Sequence, residues 1–336
     1  MIILVTIRDV AKLAGVSQAT VSRVLNGTAG VDPEKKKRVI NAVNETGFKP
    51  NEVARSLFRK SSRIIGYVVP SILNLFLNEI GRAIEDEAFQ HGFRVILCNT
   101  DEKPEKESLY INMLSSMNAD GAVIISNNNG LEAEISSCGF PVVVLDQKID
   151  ERYSAISVQC DNYQGGYLAA EHLVQCGCRK IVQMRGPQKY ISGVDRFRGY
   201  LDVCEKYGIE PRYVDSNYDF ESGLVCARQI LNAFPDADGI LASSDMTALS
   251  SYKILCQSGR RVPEDVMIVG YDDVRLSTLV TPEFTTIAQP MEKVGRLAVQ
   301  LIADKISGKK AVPPNHMLPV ELKARQTTTL KNRLFS

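Results

Sequence analysis

Apolar positions in the first fifty residues recur at helical spacing. Ile7, Val10, Ala11 and Ala14 stand at i, i+3, i+4 and i+7, one face of a helix. Thr6 followed by Asp9 resembles a capping box, and Gly15 permits a tight turn in which Val16 points inward. Ser17 is a good N-cap for a second helix with Val21, Val24 and Leu25 on its inner face and Gly27 at its end. A third helix is expected after Asp32 and Pro33, with Val39, Ile40 and Val43 inward and Gly47 as its stop. Two short helices joined by a Gly-containing turn of three or four residues make a helix-turn-helix.

From residue 63 the rhythm changes to short apolar runs alternating with amphipathic stretches. RIIGYVVP, FRVILCN, DGAVIIS, PVVVLD, KIVQM, DGILASS and VMIVGYDD read as strands. LNEIGRAIEDEAFQHG, PEKESLYINMLSSMN, NYQGGYLAAEHLVQCG, DRFRGYLDVCEKYG, SGLVCARQILNAF and MTALSSYKILCQSG read as helices. Continuous apolar runs between helices suit strands covered on both faces of a parallel sheet. The expected fold class is a small all-α helix-turn-helix head followed by an α/β core of two Rossmann-like subdomains with a cleft between them.

Charge sharpens this division. The formal net charge of the 336 residues is only +1, yet residues 1–63 hold twelve basic and five acidic side chains. A basic head on an acidic body points to a polyanion partner at one end. Eight cysteines without a CxxC pair, most in apolar runs, read as reduced, buried thiols, and no metal ligand set is expected. No apolar stretch is long enough to span a membrane, and the start MIILVTIRDV lacks a signal peptide's basic region, so a cytoplasmic protein is expected.

The outward side of the second helix carries Gln18, Thr20, Ser22, Arg23 and Asn26. In a major groove Gln reads adenine and Arg reads guanine, each bidentately, and Ala19 is small enough to approach a thymine methyl. The hydroxyls and Asn suit phosphate oxygens. The basic run at 35–38 lies along the third helix, where it would sit near a DNA backbone. In the body, Asp146, Asp245 and Asp272 each follow an apolar run, where ligands of open α/β sheets bind, and Arg196 is expected at the start of a helix. Carboxylates accept from hydroxyls and Arg donates to them, so a neutral sugar suits such groups. Asp245 reads more simply as a helix cap.

VSQATVSRVLNG, GFKPNEVARSL and RIIGYVVPS occur in that order, and together they closely resemble the LacI/GalR family of bacterial transcription repressors. NEVARSL, RGP…DRFRG and GILASSD are most similar to ribose-operon repressors. The resemblance implies a dimer on a pseudo-palindromic double-stranded operator, switched by a small sugar, ribose or related, in the cleft of a periplasmic sugar-binding-protein-like core. It implies a DNA-binding domain over 1–49 and a hinge helix and linker over 50–60. The core divides into 61–160 plus 291–320 and 161–290 plus 321–330. The DNA-binding set is then Thr6, Ser17, Gln18, Ala19, Thr20, Ser22, Arg23 and Asn26, with Asn51, Ala54 and Leu57 of the hinge, where Leu57 would wedge between base pairs from the minor groove. The effector set is Phe76, Asp146, Gln147, Arg196, Ser244, Asp272 and Gln289. Gln147 stands where relatives often have Arg, and Ser244 where Asn is common.

Other functions fit less well. No P-loop, G-x-G-x-x-G after a strand, G-x-S-x-G elbow or metal motif occurs, so no enzyme, catalytic residue or cofactor is expected. A sugar-binding module without a DNA role leaves the basic head unexplained. A corepressor or a phosphorylated metabolite remains the alternative effector.

Overall fold

The computed structural model describes residues 5–25, 30–48, 61–126, 128, 130–150, 152–153, 155–309 and 313–329. Asn26, Gly27 and the expected hinge with Asn51, Ala54 and Leu57 lie outside them. The chain forms two compact units, residues 1–62 and 63–336.

The first unit holds α1 (Ile7–Ala14), α2 (Gln18–Leu25) and α3 (Pro33–Thr46). Thr6 N and Oγ1 donate to Asp9 Oδ2 at 2.8 and 2.7 Å, Thr20 N donates to Ser17 Oγ at 3.2 Å, and Lys35 N donates to Asp32 Oδ1 at 3.0 Å. Among these, the bonds from Thr6 N, Thr20 N and Lys35 N occupy terminal amides of the helices. Gly15 and Gly47 take left-handed backbone at the ends of α1 and α3. Val10, Ala11, Ala14, Val21, Val39 and Ala42 form the buried centre. Ile40, expected inward, is 44% exposed. Val39 and Ala42 stand three apart on one face, and Ile40 falls about 100° round from Val39.

The second unit runs β1 (Ile64–Val69), α4 (Leu75–Gln90), β2 (Arg94–Asn99), α5 (Pro104–Ser116), β3 (Gly121–Ile124), α6 (Leu131–Ser137), β4 (Val142–Leu145) and β5 (Ala155–Cys160). It continues through α7 (Asn162–Gln175), β6 (Ile181–Arg185), α8 (Ile191–Tyr207), β7 (Arg212–Asp215), α9 (Phe220–Ala233), β8 (Gly239–Leu241), α10 (Asp245–Gln257) and β9 (Met267–Asp272). β10 (Thr285–Ala288), α11 (Met291–Ile306), β11 (Asn315–Leu318) and β12 (Glu321–Lys323) close it.

Two six-stranded sheets result, in the orders β11-β5-β4-β3-β1-β2 and β12-β10-β9-β8-β6-β7. All pairings are parallel except that of β10 with β12. β3, β4, β8 and β9 are buried at every position, as strands covered by helices on both faces must be. The chain enters the second sheet after β5, returns to the first at β11 and ends in the second at β12.

β5, β7, β10 and α6 escape the sequence pattern. Ser157 and Gln159 interrupt the apolar run of β5, β7 is an edge strand with alternate residues exposed, and β10 is half threonine. α8 begins at Ile191, so Arg196 sits in its second turn and not at its start. Six of the eight cysteines are buried and all eight are free thiols. No helix among the described residues is long and apolar enough to cross a membrane.

Candidate functional site

In the first unit α2 presents a polar face. Gln18, Ala19 and Arg23 are exposed, and Thr20 and Ser22 are partly so. Three expected contact hydroxyls already have work. Thr6 caps α1, and the Ser17 and Thr20 hydroxyls share a hydrogen bond of 2.9 Å. The side chains at 35–38 are exposed along α3. The helix that can enter a groove thus offers Gln18 and Arg23 as its long, freely projecting polar groups.

The second unit holds a cleft of about 670 Å³ between the two sheets' lobes. Phe76, Asp146, Arg196, Asp272 and Gln289 line it together, drawn from both lobes. Asp146 follows β4 and Asp272 ends β9, so both carboxylates stand at carboxyl ends of strands. Each has left-handed backbone, φ 59° at Asp146 and 111° at Asp272. Asp tolerates this region better than most side chains, and strained backbone of this kind gathers at functional sites.

Asn162, the first residue of α7, ties the floor together. Its Nδ2 donates to Asp146 Oδ1 at 3.0 Å, and its Oδ1 accepts from Arg196 Nε at 2.8 Å. Arg196 Nη1 donates to Ser243 O at 2.9 Å. The guanidinium carbon lies 3.6 Å from the Tyr271 ring centroid and 5.4 Å from that of Tyr218, a cation–π arrangement that holds the charge where water is scarce. Gly166 makes room for this, since a Cβ there would stand 2.1 Å from Arg196 O.

Gln289 Nε2 donates to Asp272 Oδ1 at 2.7 Å. Burial pushes the Asp272 carboxyl up to about 7, against the pull of Arg196 and the Gln289 bond. Burial also raises Asp146, with Arg196 opposing. A carboxylate offers about four acceptor sites and a guanidinium five donors, so these bonds leave capacity on all three groups for a hydroxylated ligand.

Two expected effector residues do not line the cleft. Ser244 caps α10, accepting from Thr247 N at 3.3 Å and donating to Tyr218 O at 3.1 Å. Gln147 is turned aside, with Oε1 buried and without a partner among the described residues. Asp245, expected as a cap, is instead the first helical residue. It is fully buried and accepts from Val274 N at 2.9 Å and Thr286 Oγ1 at 2.7 Å.

Sequence reasoning missed Asn162, Tyr218, Tyr271 and a pair of contacts across the mouth. There Lys189 Nζ and Tyr190 Oη reach Glu102 of the other lobe at 2.6 and 3.2 Å. Glu79 Oε1 accepts from Arg275 N at 2.7 Å, a third bond between lobes. For Asn162 the only signal was a polar residue just past an apolar run.

Comparison with known proteins bears on the family and the fold. Residues 6–51 match the model described as bacterial regulatory proteins, lacI family, and residues 170–328 match a periplasmic binding protein-like domain. The chain is 38% identical to the ribose operon repressor of Halalkalibacterium halodurans over 96% of this chain and 97% of the relative. It is 35% identical to the ribose operon repressor of Bacillus subtilis over 96% and 98%. Among solved structures it resembles the lac repressor dimer bound to operator and the anti-inducer ONPF, with TM-score 0.88, 30% identity and coverage of 96% and 99%. It also resembles a LacI family regulator from Enterococcus faecium with bound ribose, with TM-score 0.72, 28% identity and coverage of 80% and 100%.

Proposed function

The chain belongs to the lacI family of bacterial regulatory proteins, and on that premise we propose how it works as a sugar-responsive transcriptional repressor. It is not an enzyme. One observation carries the mechanism: a single chain holds a helix-turn-helix with Gln18 and Arg23 exposed and a two-lobed core with a charged cleft.

A homodimer places two copies of α2 in successive major grooves of a pseudo-palindromic operator. Gln18, Ala19 and Arg23 read bases, while Thr6, Ser17, Thr20, Ser22 and Asn26 set register on phosphates. Residues 50–60, with Asn51, Ala54 and Leu57, act as the hinge helix that orders on DNA, and Leu57 wedges into the minor groove.

The core works as two lobes, 61–160 with 291–320 and 161–290 with 321–330. Asp146, Arg196, Asp272 and Gln289 bind ligand hydroxyls, and Phe76 stacks on the ligand. A ligand that prefers one lobe arrangement shifts the population, and can do so only by its differential affinity for the two states. Release of operator on ligand binding is the expected sign. Gel mobility of a palindromic operator fragment with and without candidate sugars tests it. A ligand that binds the core and leaves operator affinity unchanged ends this reading.

A further inference from the structure

We propose that the ligand of the cleft is an uncharged sugar joined to a second ring, as in a disaccharide, an aryl glycoside or a nucleoside, and is neither a free pentose nor a phosphorylated sugar. This rests on the reading of the cleft as the effector site.

Size is the first observation. Even at the ~30 Å³ that a water molecule takes in the liquid, the ten heavy atoms of a pentose occupy about 300 Å³. The cleft holds about 670 Å³. In this lobe arrangement a pentose on the Asp146–Asp272 floor leaves more than half of that space unfilled. Gln147 and Ser244, which face away, add no polar groups to grip a small ligand.

Charge is the second. The cations among the described lining residues are Lys189 and Arg196. Lys189 is held by Glu102 at 2.6 Å, and Arg196 sits between Asp146 and Asp272 with two donors already bound. Arg196 is thus already engaged by groups of the floor, and Asp146 and Asp272 face it there. A phosphate there would have to draw Arg196 or Lys189 away from groups that already engage them, and its own desolvation adds to that cost.

The character of the walls is the third. Above the floor, Tyr218 and Tyr190 pack with ring centroids 5.9 Å apart, and Tyr218 in turn covers Arg196. The Tyr218 hydroxyl is buried and faces Ser192 without closing a hydrogen bond of normal geometry. Phe76, Leu77 and Ile80 line the side given by α4. A flat or partly apolar second ring fits this wall, and an aromatic face also suits the C–H face of a second sugar.

The test is calorimetry on the full chain with D-ribose, D-ribose 5-phosphate, cellobiose, phenyl β-D-glucoside and adenosine. At least one two-ring compound should bind about tenfold or more tighter than ribose. Ribose 5-phosphate should bind no better than ribose. Phe76→Ala should remove most of the two-ring advantage, with Tyr218→Leu as the second variant if the first melts. If ribose or its phosphate binds tightest, and Arg196→Ala abolishes that binding, this proposal falls and the effector cleft stands. If no compound binds at millimolar concentration, or if binding survives Arg196→Ala, the effector cleft and this proposal fall together.

Discussion

Lys189 Nζ lies 2.6 Å from Glu102 Oε2 across the mouth of the cleft, so two residues 87 apart in sequence join the lobes. Both side chains are about half exposed, so the pair contributes ~1 kcal/mol or less. It acts on the equilibrium between lobe arrangements, where that amount is a few-fold change in population. Lys189→Ala should therefore weaken effector binding two- to fivefold by calorimetry and move Tm little. Added salt should reduce wild-type affinity towards that of the variant. An affinity indifferent to both changes would show that the clasp does not bias the lobes.

Arg196→Ala should leave operator binding intact and abolish the effector response in a gel-shift titration. It also strips partners from Asn162 and Ser243. Taking that donor from the buried Ser243 carbonyl, and leaving Asn162 Oδ1 only its bond from Tyr271, costs about 1–3 kcal/mol, read as a lower Tm. Arg196→Lys keeps the charge but not the fork, and should restore part of the stability and little of the response.

Asp272 gives the core a pH dependence. Its native carboxyl titrates near 7, against an ordinary value near 3.8. Between those pH values the native chain binds more protons than the unfolded chain, so this group's contribution to stability falls as pH rises from about 4 to about 7. Asp272→Asn should flatten that part of the stability curve in urea melts at pH 5 and pH 7.5. An unchanged slope would move the proton uptake elsewhere, with Asp245 the next candidate, since burial raises it well above its ordinary value.

Gln18→Ala or Arg23→Ala should each cost about 1–3 kcal/mol on the operator and relax preference at one base pair. Competition binding against operators changed one base pair at a time reads this directly. A loss equal on every sequence would reassign the residue to a phosphate contact.

Leu57→Ala should lower operator affinity and DNA bending together and leave ligand binding by the core unchanged. Circular-permutation gels report the bend. Weaker binding with a full bend would leave Leu57 a tether residue and no wedge.

How much of the site was legible depended on how local each role is. Asp146 and Asp272 were visible because a carboxylate after an apolar run is a local signal. The helical faces of α1 and α2 were visible for the same reason. Asn162, Arg196 and Tyr271 act through contacts 34 and 109 residues apart, which no spacing rule reaches. Ser244 and Gln147 show the opposite limit. A position beside the site can be read from resemblance, but the direction of its side chain is set by packing, here a helix cap and a buried amide. The same holds for Asp245, a plausible cap by composition that the fold instead buries against Thr286 and Val274.

Neither lobe of the core is a continuous piece of chain. The first sheet needs β11, at residues 315–318, and the second needs β12, at 321–323. During synthesis, then, the first sheet lacks a strand until residue 318 has left the ribosome, and the second until residue 323 has. Domains made of contiguous sequence fold in order as they emerge, but here β5 waits for β11, and β10 for β12, with their edges unpaired in the meantime. A stalled or truncated product ending before residue 315 would lack the outer strand of both sheets at once. The cell would meet that fragment as exposed sheet edge rather than as one finished lobe and one missing lobe.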